Sequence, residues 1–221
     1  MRFTLSDLLA PHYCCSCGEI GAILCDYCKY NIVSDTPVVC LQCLRPVARF
    51  RDVCIECGNN YTKGWMVGYH RGALKALIQE YKFESNKSAA RELADLLVSC
   101  LPEVPDSVNV TVIPTTMAHV RERGYDHAEL IAREFARQLS LPFARSLTRN
   151  HSRRQRGASR LQRGSQAKTA YSANGVKKGT IYLLIDDVCT TGATVKYGAK
   201  VLLDAGATEV WVAVVSREPL D

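Results

Sequence analysis

The sequence predicts an α/β fold, a parallel sheet covered by helices, with a small cysteine-rich module ahead of it. Two observations carry this. Strand-like and helix-like apolar patterns alternate through the later part of the chain, and strand–helix–strand alternation with nearly all-apolar strands marks a parallel sheet buried on both faces. Before Gly58 that pattern is missing, and nine of the eleven cysteines stand there instead. With 221 residues, 47% of them hydrophobic, the chain has room for one sizeable core and a smaller unit beside it. We divide it into residues 1–64, a cysteine-rich double zinc-ribbon module, and residues 65–221, the α/β domain.

Each element has its own signal. A linker is expected near Tyr61 to Trp65. Leu74, Leu77, Ile78 and Tyr81 have helical spacing, and Ala89, Leu93, Leu96, Leu97 and Cys100 repeat it until Pro102 and Pro105 end the helical stretch. Val108 to Ile113 alternates apolar and polar residues and reads as a strand closed by Pro114. A helix from about His127 to Leu139 places Ile131, Ala132, Phe135 and Leu139 on one face. A short strand is expected around Phe143 to Leu147. Ile181 to Ile185 is a buried strand, Thr194 to Ala205 a helix stopped by Gly206, and Glu209 to Val215 a last apolar strand. In open sheets of this kind ligands sit beyond the carboxyl ends of the strands.

Eight of the early cysteines form four Cys-x-x-Cys pairs: Cys14/Cys17, Cys25/Cys28, Cys40/Cys43 and Cys54/Cys57. Two residues between thiolates let one tight turn offer both sulfurs to one ion, and two turns complete a tetrahedral site. Gly18 and Gly58 each follow a knuckle, where a left-handed residue is useful. The pairs predict structural zinc, one or two ions, grouped most simply in sequence order; an interleaved grouping of first with third and second with fourth also meets the spacing. An all-thiolate site has no open position for catalysis. Redox use of the knuckles is the competing reading. Cys15 is surplus to the pairing, and Cys100 sits in a helical apolar pattern as a core residue.

Met1 to Ala10 has no long apolar run or cleavage site, and no stretch nears the roughly 18 apolar residues of a membrane span, so a cytoplasmic, soluble protein without membrane insertion is expected. The net charge of +6 is unevenly placed: Phe135 to Ile185 carries eleven Lys/Arg and no acid. Such a block suits a polyanion, nucleic acid or a polyphosphate, and equally a solvated loop.

The main chemical constellation is Leu183-Leu-Ile-Asp186-Asp187-Val188-Cys189-Thr190-Thr191-Gly192-Ala193-Thr194. A buried strand leads into two adjacent carboxylates, a hydroxyl-rich turn with one glycine, and a helix. The turn and first helical residues aim backbone N–H groups at an anion, and the helix dipole favours negative charge there. Thr190, Thr191 and Thr194 add donors, Gly192 permits close backbone approach, and Asp186 and Asp187 can accept from sugar hydroxyls and hold hydrated magnesium. The Gly-Lys-[Ser/Thr] end of a P-loop is missing. A second strand end, Pro114-Thr115-Thr116 through His119, Arg121, Arg123, Gly124 and Tyr125 to Asp126-His127, opens another helix. Its guanidinium groups suit a diphosphate, with a solvated basic turn as the competing reading. His119 and His127 read as hydrogen-bonding or capping groups. Third, Arg149, Arg153, Arg154, Arg156, Arg160 and Arg163 form the basic block, a flap over a diphosphate or a groove for nucleic-acid backbone.

The strand, acid pair and Thr-Thr-Gly-x-Thr turn resemble the phosphoribosyl diphosphate (PRPP) signature of type I phosphoribosyltransferases. With the knuckles, Gly68-Tyr69, Leu77-Ile-Gln-Glu-Tyr-Lys82-Phe83, Arg121-Glu-Arg-Gly-Tyr125 and the Arg149 to Arg163 block, nearly the whole chain is similar to the ComF family. The family has Asn-Gln after its Arg-Gly-aromatic motif, where this chain has Asp126-His127.

The resemblance implies a type I phosphoribosyltransferase-like fold and a role in natural transformation, with incoming single-stranded DNA handled in the cytoplasm. Its partners would be PRPP, single-stranded DNA and a competence helicase or recombination mediator, and a homodimer is compatible with it. On this reading Asp186, Asp187 and the Val188 to Thr194 turn, with Thr115 and Thr116, bind PRPP and magnesium. Arg121 and Arg123 join the acids in catalysis, and the block arginines bind nucleic acid. Whether a phosphoribosyl group is transferred, and to which acceptor, stays open. A non-catalytic DNA-binding adaptor with a nucleotide-sensing or vestigial loop is the alternative, and a purine-salvage-type transferase ranks below both.

Overall fold

The computed structural model describes residues 12–47, 53–57, 60–83, 88–150 and 170–219, with Ile55, Phe83, His119, Glu122 and Arg123 described by backbone alone. The cysteine-rich part contributes helix α1 (Asp26–Ser34) and a 3-10 turn (Ile55–Cys57). Then follow β1 (Lys63–Tyr69), α2 (Gly72–Phe83), α3 (Ala89–Cys100), β2 (Asn109–Val112), α4 (Met117–Arg123) and α5 (His127–Gln138). A two-stranded ribbon of β3 (Leu147–Arg149) and β4 (Tyr171–Ala173) precedes β5 (Ile181–Cys189), α6 (Ala193–Asp204) and β6 (Glu209–Arg217).

Four strands form the main sheet in the order β1-β6-β5-β2, all parallel. Successive side chains on a strand point to opposite faces, and here both faces are apolar. Trp65, Val67, Val110, Val112, Leu183, Ile185, Trp211, Ala213 and Val215 join one core with α2, α3 and α5. Met66, Tyr182, Leu184, Val210, Val212 and Val214 join a second core with α6 and the ribbon. Removing each large aliphatic side chain from water contributes about 1.5–3 kcal/mol, which is why such uniformly apolar strands end up central.

The structure corrects several expectations. The stretch near Tyr61 to Trp65 is not a linker but the start of β1, an edge strand paired with β6. Its Gly64 sits so close to the knuckle that a Cβ would lie 3.1 Å from both Leu41 and Tyr61. Thr111 does not face solvent: β2 is buried throughout, and the Thr111 hydroxyl accepts the Ser146 N–H at 3.1 Å. Phe143 makes only an isolated bridge to Val110, and the ribbon begins at Leu147. β5 runs four residues past Ile185, so Asp186 and Asp187 lie inside the strand. Among the described residues no helix is long and apolar enough to cross a membrane.

Candidate functional site

The extra length of β5 creates the site. Its pairing with β2 stops at Val112↔Ile185, whereas its pairing with β6 continues to Cys189↔Arg217. Beyond Ile185 the β2 side is open, and a cavity of about 280 Å³ lies there. Asp186, Asp187, Lys82, Thr115, His127, Arg149 and Thr194 help to line it.

The two carboxylates differ in their surroundings. Lys82 Nζ lies 2.6 Å from Asp187 Oδ2. Burial opposes ionisation of Asp187, but Lys82 and the Val188 N–H outweigh it and hold the carboxyl below the usual carboxylate range. Burial and the neighbouring charge of Asp187 push Asp186 well above that range. Asp186 Oδ1 accepts the Asp187 N–H at 2.9 Å.

The turn after β5 leaves Thr190, Thr191 and Thr194 exposed. Gly192 caps α6 with φ +78°, a left-handed conformation that suits glycine. The first N–H groups of a helix have no intrahelical acceptor, so the start of α6 is a donor surface. Ala193 N donates to Thr191 Oγ1 at 3.4 Å. Val188 is half-buried, and burial pushes the Cys189 thiol up to about 11.

A larger cavity of about 1210 Å³ shares Pro114, Thr115 and Arg149 with the first. Thr116, Arg121, Tyr125, Arg145 and Asn150 are on its wall. Arg121 thus lies beside the acid pair's cavity but not within its lining, and Arg123 is described by backbone alone. Glu129, also on this wall, is held by Arg145 at 2.8 Å and Arg133 at 2.7 Å, which outweigh its burial and keep its carboxyl low. Arg149 is the one block arginine among the described residues. It lines both cavities and donates to the Tyr171 hydroxyl at 3.4 Å. Arg153, Arg154, Arg156, Arg160 and Arg163 lie outside the described residues, as does Gly58.

At the second strand end the cap is Asp126 rather than His127. Asp126 Oδ1 accepts the Glu129 N–H at 3.2 Å and Oδ2 accepts the Thr115 N–H at 3.0 Å, so one carboxylate ties the end of β2 to α5. The His127 ring packs edge-on against Tyr81 at 4.7 Å, and its carbonyl accepts the Tyr81 hydroxyl at 2.8 Å.

The eight knuckle cysteines gather into two groups in sequence order, Cys14/Cys17/Cys25/Cys28 and Cys40/Cys43/Cys54/Cys57. All four sulfurs of each group lie within 4.8 Å of one another. Contacts of 3.6 Å for Cys17–Cys25 and 3.4 Å for Cys43–Cys54 compare with the roughly 3.8 Å edge of a tetrahedron with Zn–S near 2.3 Å. The residues fit zinc. The groups are also structural repeats: Cys25 N donates to Cys14 Sγ, and Cys54 N to Cys40 Sγ, each at 3.5 Å. Gly18, at φ +79°, has Leu44 as its counterpart at φ +58°.

Three residues at the site were given no role by sequence reasoning. Lys82 ends a helix that gives no charge signal beyond an ordinary basic last turn. Gln42 lies inside the second knuckle, and its Nε2 donates to Thr191 O at 3.2 Å. Arg217, fully buried at the end of β6, donates to the carbonyls of Leu41, Gln42, Cys189 and Glu218. An arginine after an apolar strand carries no mark of such a role.

Known proteins resemble the chain in the same terms. Residues 125–219 match the model of the phosphoribosyl transferase domain. "Competence protein F" of Haemophilus influenzae is 27% identical over 87% of this chain and 96% of its own length. "Competence protein ComFC" of Bacillus subtilis is 26% identical over 83% of this chain and 79% of its own. "DNA utilization protein YhgH" of Salmonella typhimurium is 26% identical over 88% and 96%. Among solved structures, the glutamine PRPP amidotransferase of B. subtilis is 24% identical with a TM-score of 0.45, covering 62% of this chain and 30% of its own. By its relatives and its matched domain, the chain is similar to the phosphoribosyltransferase-like proteins of the ComF family.

Proposed function

We propose that the chain binds PRPP with magnesium at the open end of β5, and that it does so as a DNA-associated protein of DNA uptake. One observation carries the ligand reading: the strand with the acid pair outlasts its neighbour β2, leaving two carboxylates beside an exposed threonine turn and a helix start. Asp186 and Asp187 accept from the ribose hydroxyls. Thr190, Thr191, Thr194 and the N–H groups around Gly192 and Ala193 donate to the 5′-phosphate. Val188 and Cys189 shape the root of the turn. Thr115, Thr116 and Arg121 face the diphosphate. Magnesium, when bound, supplies charge neutralisation to the diphosphate. Lys82 keeps Asp187 ionised for this contact. If a phosphoribosyl group is transferred, the C1–O bond breaks, diphosphate leaves with the bonding electrons, and the cationic side chains stabilise the departing charge.

The printed names of the relatives, competence and DNA utilization proteins, support the link to DNA. So does the cavity lined by Arg121, Arg145 and Arg149. The two four-cysteine groups each hold a structural zinc ion.

Thermal unfolding tests the ligand reading. PRPP with magnesium at 100 times its Kd should stabilise the protein by about 2.7 kcal/mol, a rise of several degrees in Tm. Asp186→Asn/Asp187→Asn should lose that rise. An unchanged wild-type Tm at millimolar PRPP would end the reading and leave a DNA-binding adaptor.

A further inference from the structure

We infer that the second four-cysteine group is a brace for the anion-binding turn, acting through Gln42 and Arg217 as positioning residues, and that the first group takes no part. The consequence for PRPP affinity rests on the reading of that turn given above; the brace itself does not.

The contacts are specific. Cys40 and Cys43 fix a turn whose two inner residues are Leu41 and Gln42. The Gln42 carboxamide lies against Gly192 so closely that a Cβ there would sit 2.7 Å from Oε1 and 3.0 Å from Nε2. Gly192 is therefore required for space as well as for its positive φ. Gln42 Nε2 also holds Thr191 O. Beneath this contact lies Arg217. Its Nε donates to Leu41 O at 3.1 Å and its Nη2 to Gln42 O at 3.2 Å, both in the knuckle. Its Nη1 donates to Cys189 O at 3.3 Å, at the root of the turn, and to Glu218 O at 3.1 Å.

A buried guanidinium tolerates its position only while its donors are paired. Shifting either the knuckle or the root of the turn strands those donors in the interior, so the two segments hold one another in place. The first group lacks this connection. Cys14, Cys25 and Cys28 belong to the core on the other face of the sheet, with α2 and α3, whereas Leu41 and Cys189 belong to the core under α6.

Hydrogen exchange on the full chain tests the brace without ligand. The amides of Lys196 and Glu218 donate to Gly192 O and Cys189 O and report on the turn; that of Ile113, donating to Ile185 O, reports on the sheet. Gln42→Met keeps the side-chain length and removes the donor. It should speed exchange at Lys196 and Glu218 about five-fold, the loss of one net hydrogen bond, and leave Ile113 unchanged. Cys57→Ser, which opens the second group, should do at least as much. Cys17→Ser, which opens the first, should leave both reporters at the wild-type rate relative to Ile113. Wild-type rates in both Gln42→Met and Cys57→Ser would overturn the inference, as would equal acceleration in Cys17→Ser. Calorimetry with PRPP and magnesium separates the two readings: a wild type that binds no PRPP, with exchange still faster in Gln42→Met, keeps the brace and rejects the ligand. Where wild type binds, Gln42→Met should weaken PRPP several-fold, and unchanged affinity with unchanged exchange rejects the brace.

Discussion

Asp186 and Asp187 are chain neighbours lining one cavity, yet their electrostatics diverge because only Asp187 has a cation against it. Asp187 has Lys82 at 2.6 Å and stays ionised. Asp186 is buried beside that charge and holds its proton to higher pH. The signs for stability are therefore opposite. The low Asp187 carboxyl contributes stability present above its unfolded pKa, lost as pH falls through the folded value. The high Asp186 carboxyl contributes stability present below its unfolded pKa, lost as pH rises through the folded one. A cation placed at the pair favours ionised Asp186, so binding of PRPP with magnesium should release a proton wherever free Asp186 is protonated, and affinity should rise with pH until free Asp186 ionises. Calorimetry in buffers of different ionisation enthalpy measures this; an enthalpy independent of buffer in wild type excludes it, and Asp186→Asn should show that independence. The acid pair was legible because adjacent acids on an apolar strand are expensive anywhere but at a site. Lys82 was not, because what makes it special is a partner from the far end of the chain.

At the scale of elements, periodicity found the helices because α2, α3, α5 and α6 each show one apolar stripe to a sheet. It missed β1, where Gly64 and Gly68 interrupt the pattern because the knuckle and Leu74 pack against them. It also placed the end of β5 too early, since polar side chains inside a strand look like its boundary. The arginine-rich segment from Arg149 was visible only as composition. Its first member leaves β3 pointing at both cavities, which places the start of the segment at the mouth of the site. If the segment contacts DNA backbone, binding of a labelled single strand should weaken steeply with salt. Replacing Arg153, Arg154 and Arg156 by Ala should reduce the slope of log affinity against log salt by about 2, three contacts at roughly 0.7 each. An unchanged slope would move the DNA path away from this segment.

At the scale of the whole molecule, the chemical boundary near residue 64 does not coincide with a gap in the packing. The two cysteine groups straddle the edge strand β1, one on each face of the sheet. Ile23, Leu24 and Ile32 continue the core of Trp65, Leu74 and Leu97, while Leu41 continues that of Met66 and Val214. Sequence could not assign the faces, since cysteine spacing fixes a local turn and says nothing of what it rests on. Shared cores make for shared unfolding. Heating should therefore give one transition. Trp65 and Trp211, stacked edge-to-face at 5.9 Å in one core, report loss of the sheet by fluorescence. A chromophoric zinc chelator at low concentration reports opening of the cysteine groups. The two signals should share a midpoint, because opening either group exposes apolar surface that the sheet needs covered. Zinc released well below the tryptophan transition would instead make residues 1–64 a unit that melts alone, and the contacts across β1 a docking interface rather than one core.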